Sequence, residues 1–180
     1  FEVASKQLEL LHQLVPKAAR VAVLVNPNTG DFILQAVQEA ARLLRLEIII
    51  LKAGTPSEID VAFAALARER ADALFIQPDG FFASRRVQIA TLAARERMPA
   101  SYVSREMVEA GLLMSYGTNI ADMFRQVGIY TGSILKGVKP ADLPVIQATK
   151  FEFIINLQTA KSLGLEISPT LLARADEVIE

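Results

Sequence analysis

Short, wholly apolar runs alternate with amphipathic stretches along the first 110 residues, and that alternation most constrains the fold. Residues 20–26 interleave Val21, Val23 and Val25 with Ala22 and Leu24, so neither face of a strand there is polar. Residues 47–52 (Glu-Ile-Ile-Ile-Leu-Lys) and 72–77 read as further strands, and Met98–Val103 as a short one. Strands apolar on both faces must be covered on both, which is the condition of a parallel sheet between two helix layers. The intervening stretches supply those layers. Residues 5–15 place Leu8, Leu11 and Leu14 on one helical face, closed by Pro16. Residues 31–45 form an amphipathic helix capped by Thr29 or Asp31, and Ser57 as N-cap opens a helix to about Arg70. Ser84 opens another to about Arg95, and 105–110 make a helical turn. Each crossover is expected to be right-handed. The expected class is therefore α/β, a doubly wound parallel sheet.

The pattern changes after Gly111. Residues 112–117 (Leu-Leu-Met-Ser-Tyr-Gly) read as a strand, and 119–136 as a long amphipathic helix ended by Gly137. Pro140 and Pro144 punctuate a linker. Val145–Ala148 and Phe151–Asn156 read as extended pieces, 157–163 as a helix ended by Gly164, and 170–178 as a last helix.

Composition narrows the function. With 52% apolar and 22% charged residues, the 180-residue chain can bury a substantial core. A net charge of −1 and a pI near 6.0 argue against a nucleic-acid partner, which calls for a basic patch. The absence of cysteine removes disulfides, thiolate metal sites and cysteine nucleophiles, and a single histidine leaves little for a zinc site or a Ser-His-Asp triad. No apolar run approaches the roughly 18 residues of a membrane span. No metal, no cofactor and no catalysis are expected.

Two strands end in loops of one kind: Asn26-Pro-Asn-Thr-Gly30 and Gln77-Pro-Asp-Gly-Phe-Phe82. In parallel α/β sheets such loops gather at the carboxyl ends of the strands, where ligands bind. A receiver-like phosphorylation domain would also carry an aspartate after its third strand, here Asp79. It would need acidic metal ligands near the first strand end, where Asn26 and Asn28 stand, and a lysine after the fifth, where Ser115-Tyr-Gly-Thr118 offers none. A dinucleotide site is disfavoured because the first loop lacks Gly-x-Gly-x-x-Gly.

Four segments carry a family resemblance: Gly111–Gly117 followed by a helix, Ile134–Pro144, Thr149–Asn156 with Thr159–Gly164, and Pro169–Glu180. Together they resemble the C-terminal portion of ABC-transporter solute-binding proteins of the tryptophan/tyrosine type, and Leu10–Asn28 resembles the start of that family's second lobe. Leu112 stands where relatives commonly have a second glycine. The resemblance implies a periplasmic-binding-protein type I-like lobe over residues 1–111. Residues 112–148 would be a crossing segment and helix of a first lobe, and 149–180 a return to the second. It implies a small solute, an aromatic or apolar amino acid, clamped between lobes that close about crossing strands near Met114–Gly117 and Val145–Thr149. Permease subunits of the transporter would be partners, with the protein periplasmic or lipid-anchored at the outer face of the cytoplasmic membrane. An effector-binding domain of a transcription regulator shares the two-lobed architecture and remains the alternative.

The candidate ligand residues are Asn26, Asn28, Asp79, Phe81, Phe82, Tyr102, Ser115 and Tyr116. The amides of Asn26 and Asn28 can hydrogen-bond a ligand, although Asn-Pro-Asn-Thr-Gly is also ordinary turn chemistry. Asp79 offers a carboxylate to an α-ammonium group through a charge-assisted bond. Phe81 and Phe82 are adjacent, so one is expected to pack inward and the other to form an aromatic wall. Tyr116, beside Ser115, brings a ring and a hydroxyl to a strand end, and Tyr102 does so more weakly. The helix at 119–136 carries Ile120, Met123, Phe124, Val127, Ile134 and Leu135 on one face. That face is expected to be covered by another copy of the chain or by folding back on the lobe.

Overall fold

The computed structural model describes residues 2–146 and 150–180. Its centre is a seven-stranded sheet in the order β2-β1-β3-β4-β5-β6-β7. The strands are β1 (Arg20–Val25), β2 (Glu47–Lys52), β3 (Ala73–Ile76), β4 (Ala100–Tyr102), β5 (Met114–Thr118), β6 (Phe151–Asn156) and β7 (Glu177–Ile179). The first five run parallel, β6 pairs antiparallel with β5, and β7 runs parallel to β6. The sheet is thus mixed, mostly parallel, with its reversal at β6.

The wholly apolar strands are buried on both faces, as their composition requires. On one face Val21, Val23, Val25 and Phe75 pack under α1 (Glu2–Leu14) and α2 (Phe32–Leu44), through Leu8, Leu11, Leu14 and Val37. On the other, Ala22, Leu24, Leu74 and Ile76 pack under α3 (Pro56–Arg68), α4 (Gly80–Ser84), α5 (Arg86–Arg95) and α6 (Arg105–Glu109), through Ile59, Phe63, Phe82, Ile89 and Met107. The period-two alternation of each strand divides its side chains between the two cores. β2, at the sheet edge, is correspondingly less buried.

Four expectations are corrected. Thr55, not Ser57, caps α3: its hydroxyl accepts from Glu58 N at 3.3 Å, and Pro56 takes the first helical position, where a missing N–H costs nothing. The helix expected from Ser84 to about Arg95 is α5, starting at Arg86, and Ser84 instead ends a separate turn, α4, that Asp79 caps from Gly80. Asp31 precedes α2 but makes no side-chain cap bond. The expected last helix, 170–178, is the single turn α9 (Pro169–Leu172) followed by β7, which completes the sheet edge. Beside these, α8 (Leu157–Leu163) ends at Gly164 in the left-handed conformation that glycine adopts without penalty. The expected extended piece Val145–Ala148 and the hinge segment Val145–Thr149 run into residues 147–149, outside the described residues.

The long helix α7 (Ile120–Leu135) leaves the sheet at the end of β5 and buries none of its residues within this chain. Phe124 is 66% exposed and Leu135 83%. The fold-back expected for this face does not occur. At its base α7 is tied down by polar contacts: Asp122 accepts from Arg125 and from Lys150 just before β6, and Asn119 donates to Glu152 on β6.

Candidate ligand-binding site

The strand order reverses direction at β1: the chain passes from β1 outward to β2, then returns to β3 on the other side of β1. The loops after β1 and β3 therefore diverge on opposite sides of a crevice at the carboxyl edge, the general place for ligands in open α/β sheets. Both of the loops singled out in the sequence lie here.

Asp79 organises them. One carboxylate oxygen, Oδ1, accepts from Asn26 Nδ2 at 3.2 Å and from Phe81 N at 2.8 Å, and Oδ2 accepts from Thr29 Oγ1 at 2.6 Å. Burial alone pushes its pKa up, but the bonds from Thr29, Asn26 and the backbone of Phe81 and Phe82 outweigh it and hold the group below the usual carboxylate range. It is thus an anion with three donors already in place. Asn26, itself buried, turns its Oδ1 back to accept from Asn28 N at 3.0 Å, the bond of an Asx-turn. Gln77, 2% exposed, closes the cluster by accepting from Asn26 N and donating to Gly30 O.

Tyr102 lies on the far side of Asp79. Its hydroxyl accepts from Asp79 N at 3.1 Å and donates to Asp79 O at 2.9 Å, while its ring is buried in the core under α3–α6. Burial raises the phenol pKa, so it stays protonated and able to donate. Tyr102 is only 3% exposed, with its hydroxyl engaged by the backbone of Asp79. Of the adjacent pair, Phe82 is the ring fully buried in the core, and Phe81 is the ring left at the surface, half-buried with the Arg85 guanidinium 6.0 Å from its centroid.

Ser115 and Tyr116 point to opposite faces of β5. Tyr116 stacks on Phe151 at 5.9 Å between centroids and packs on the core under α1 and α2. Ser115 lines a cavity of about 410 Å³ on the other face, formed by the loop after β4, the start of α6, strands β5 and β6, and the first turn of α7. Its walls include Ser104, Arg105, Thr118, Asn119, Phe124 and Glu152. Gly117 makes this junction possible. A Cβ placed there would sit 2.0 Å from the carbonyl oxygen of Val103, so only a residue without a side chain lets β5 lie so close to the end of β4. The eight candidate residues thus divide: Asn26, Asn28, Asp79 and Phe81 share the β1–β3 crevice, Ser115 lines the cavity, and Phe82, Tyr102 and Tyr116 are packed. Among the described residues, no group of three or more His, Asp or Glu side chains is placed to hold a metal.

The family model for ABC transporter substrate binding proteins matches residues 1–179. The chain belongs to that family. A curated relative, the "Tyrosine-binding protein" of Clostridioides difficile strain R20291, is 25% identical over 163 residues, which is 89% of this chain and 47% of the relative. Among solved structures, an ABC domain from Streptococcus pneumonia in complex with L-Trp superposes with a TM-score of 0.87 at 24% identity, covering 98% of this chain and 60% of that one. A conserved domain protein from Vibrio cholerae gives 0.85 at 24% identity, covering 97% and 60%. The chain thus spans about half the length of the curated relative it matches, and these structures establish the substrate-binding-protein fold.

Reasoning from the sequence missed Thr29, Gln77 and most of the cavity wall. Gln77 had a legible signal, a lone amide ending an otherwise apolar strand. Glu152 had one also, an acid inside Phe151–Asn156. Thr29, Ser104 and Thr118 had none, because a hydroxyl in a loop is ordinary turn chemistry until the fold gives it neighbours.

Proposed function

We propose that this chain is part of the substrate-binding component of an ABC uptake transporter. In this reading it binds a small solute, an aromatic or apolar amino acid, at the carboxyl edge of its sheet and performs no chemistry on it. The observation that carries the reading is the family match over residues 1–179, joined to a polar crevice and a cavity on the edge where such a fold takes its ligand. In this reading Asn28 and Phe81 flank the ligand at the β1–β3 crevice, Asp79 holds the two loops at their spacing, and Ser115 faces the ligand from the hinge side. Residues 1–111 with 149–180 form one lobe. Residues 112–148 cross to a second lobe, which would cover the exposed face of α7; a dimer through 119–136 is the other way to cover it. Closure would be a hinge motion through β5 and the return to β6, with permease subunits receiving the closed form. The protein would work outside the cytoplasmic membrane, in the periplasm or held there by a lipid anchor. The alternative, a regulator's effector domain, shares the architecture but not the family match.

A thermal-shift panel tests this. The longest form of the protein, carrying whatever lies outside residues 1–180, is melted with each of the twenty amino acids. A ligand at about 100 times its Kd adds about 2.7 kcal/mol to stability. Stabilisation confined to aromatic or large apolar amino acids is expected, and a flat panel refutes the reading.

A further inference from the structure

The two edges of the sheet are finished differently. β7, at one end, is three residues long, and Arg105 forks onto its Glu177 at 2.5 Å. Short, charged edges of this kind resist pairing with another chain. β2, at the other end, has six residues, and between Glu47 and Lys52 it runs Ile48-Ile49-Ile50-Leu51. It pairs with β1 residue for residue from Glu47 to Lys52, so neither a bulge nor a proline blunts this edge. Glu47 N donates to Ala19 O and Ala53 N to Val25 O, so the odd-numbered residues turn their backbone groups toward β1. The N–H and C=O groups of Ile48, Ile50 and Lys52 point away from the sheet, and no further strand among the described residues takes them up.

The side chains at this edge are apolar and open. Ile48 packs partly on the core under α1 and α2, and Ile49 and Leu51 on the core under α3–α6. Ile50 is on the Ile48 face and is 40% exposed. Beside Ile48 is a depression of about 200 Å³ walled by Gln38, Ala41, Arg42 and Leu46. A second, of about 220 Å³, follows along α2 between Gln35, Gln38, Glu39 and Arg42. Among the described residues, neither Glu39 nor Arg42 makes an ion pair within the chain.

We propose that β2 pairs antiparallel with β2 of a second copy of this chain, about a twofold axis normal to the sheet at Ile49. Such an axis keeps the faces of the two sheets aligned, and directly opposite residues of an antiparallel pair share a side. Centring on Ile49 therefore sets Ile48 opposite Ile50 of the second copy, and Ile50 opposite its Ile48. Each exposed Ile50 is brought to the depression beside Ile48 of the other copy. The same axis runs the two α2 helices antiparallel, the orientation in which Glu39 of one copy meets Arg42 of the other, twice. An acid and a base three positions apart on one helix face are self-complementary in that orientation, which is what a twofold interface requires. A second copy is the occupant because it brings Glu39 and Arg42 together with the strand, as a lone extended peptide does not. β2 lies at the opposite end of the sheet from β5 and β6, beside which α7 departs, so this contact is separate from the α7 face and from the cavity at Ser115. It does not depend on which solute is bound.

The test is sedimentation equilibrium on the longest form of the protein, without added ligand. One strand and one helix from each copy make a small interface, so a reversible dimer with a Kd of about 1–100 μM is expected. Ile50→Lys puts two charges where two apolar side chains pack. It should weaken the dimer about 100-fold and leave the circular dichroism and thermal midpoint of the monomer unchanged. Glu39→Arg and Arg42→Glu should each weaken it about 10-fold, and the two combined should restore it. Hydrogen exchange at the Ile50 amide should slow as concentration rises through the Kd. Phe124→Asp on α7 should leave the dimer intact. A parent protein still monomeric at about 1 mM, ten times the weakest Kd expected, overturns the assignment. So does a dimer that survives Ile50→Lys, one lost in Phe124→Asp, or a charge exchange that fails to restore association.

Discussion

Gly117→Ala is the substitution whose effect follows most directly from the geometry. The added methyl carbon would lie 2.0 Å from Val103 O, 2.9 Å from Val103 C and 3.1 Å from Val103 Cα. All three are backbone atoms, so no side chain can rotate to relieve the overlap. β5 and the end of β4 must separate, in the interior of the sheet, where Ser101 and Tyr102 of β4 pair with Met114 and Ser115. Overpacking typically costs about 1–3 kcal/mol, and a clash with rigid backbone belongs at the upper end. In a protein of this size, about 3 kcal/mol lowers the thermal midpoint by roughly 6–12 °C. Urea denaturation of the variant beside the parent protein measures it. The same displacement moves the cavity wall, so ligand affinity should fall with stability. A variant within about 0.5 kcal/mol of the parent, the range of neutral surface changes, would refute the close approach of β5 to Val103.

Two further predictions concern the β3 loop. Phe82→Ala removes a fully buried ring and should cost about 3–5 kcal/mol by denaturation, while Phe81→Ala should cost far less and act mainly on ligand affinity; equal stability losses would contradict the division of the pair. Asp79 and Asp122 both have pKa values held below the usual 3.8, Asp79 by donors that outweigh its burial and Asp122 by Arg125 and Lys150. A depressed folded-state pKa contributes stability that is complete above the unfolded value and is lost as pH falls through the folded one. Stability from these groups should therefore hold from neutrality down to about pH 4 and drop below it, and Asp79→Asn should make the acid limb shallower; an unchanged limb would sink the claim for Asp79.

Much of the fold was legible because β1 after Arg20 and the whole of β3 are apolar, a pattern that only a sheet covered on both faces satisfies. The errors arose where local chemistry had two readings. Residues 170–178 contain a helical turn after Ser168-Pro169, but Glu177–Ile179 joins the sheet because β6 leaves an edge to be paired, which no local pattern reveals. Ser57 and Thr55 are both competent caps, and Pro56 decides between them. At the site, the two loops were legible from Pro, Gly and Asn after apolar runs, whereas the division of labour within them was not. Asp79 had the type and position of an ammonium anchor; that its carboxylate also accepts from Asn26, Thr29 and Phe81 depends on a loop 50 residues away, which no local pattern shows. Glu152 was hidden in a strand, and its place on the cavity wall depends on the antiparallel pairing of β6 with β5.

The central claim, that this is a binding protein for an amino acid, is tested most directly by calorimetric titration of the longest form of the protein with L-tryptophan, L-tyrosine, L-phenylalanine and L-leucine at neutral pH. The account expects one-to-one saturable binding of at least one of them with a Kd of about 1 μM or tighter, equivalent to about 8 kcal/mol. The absence of heat and of saturation for all four would contradict it.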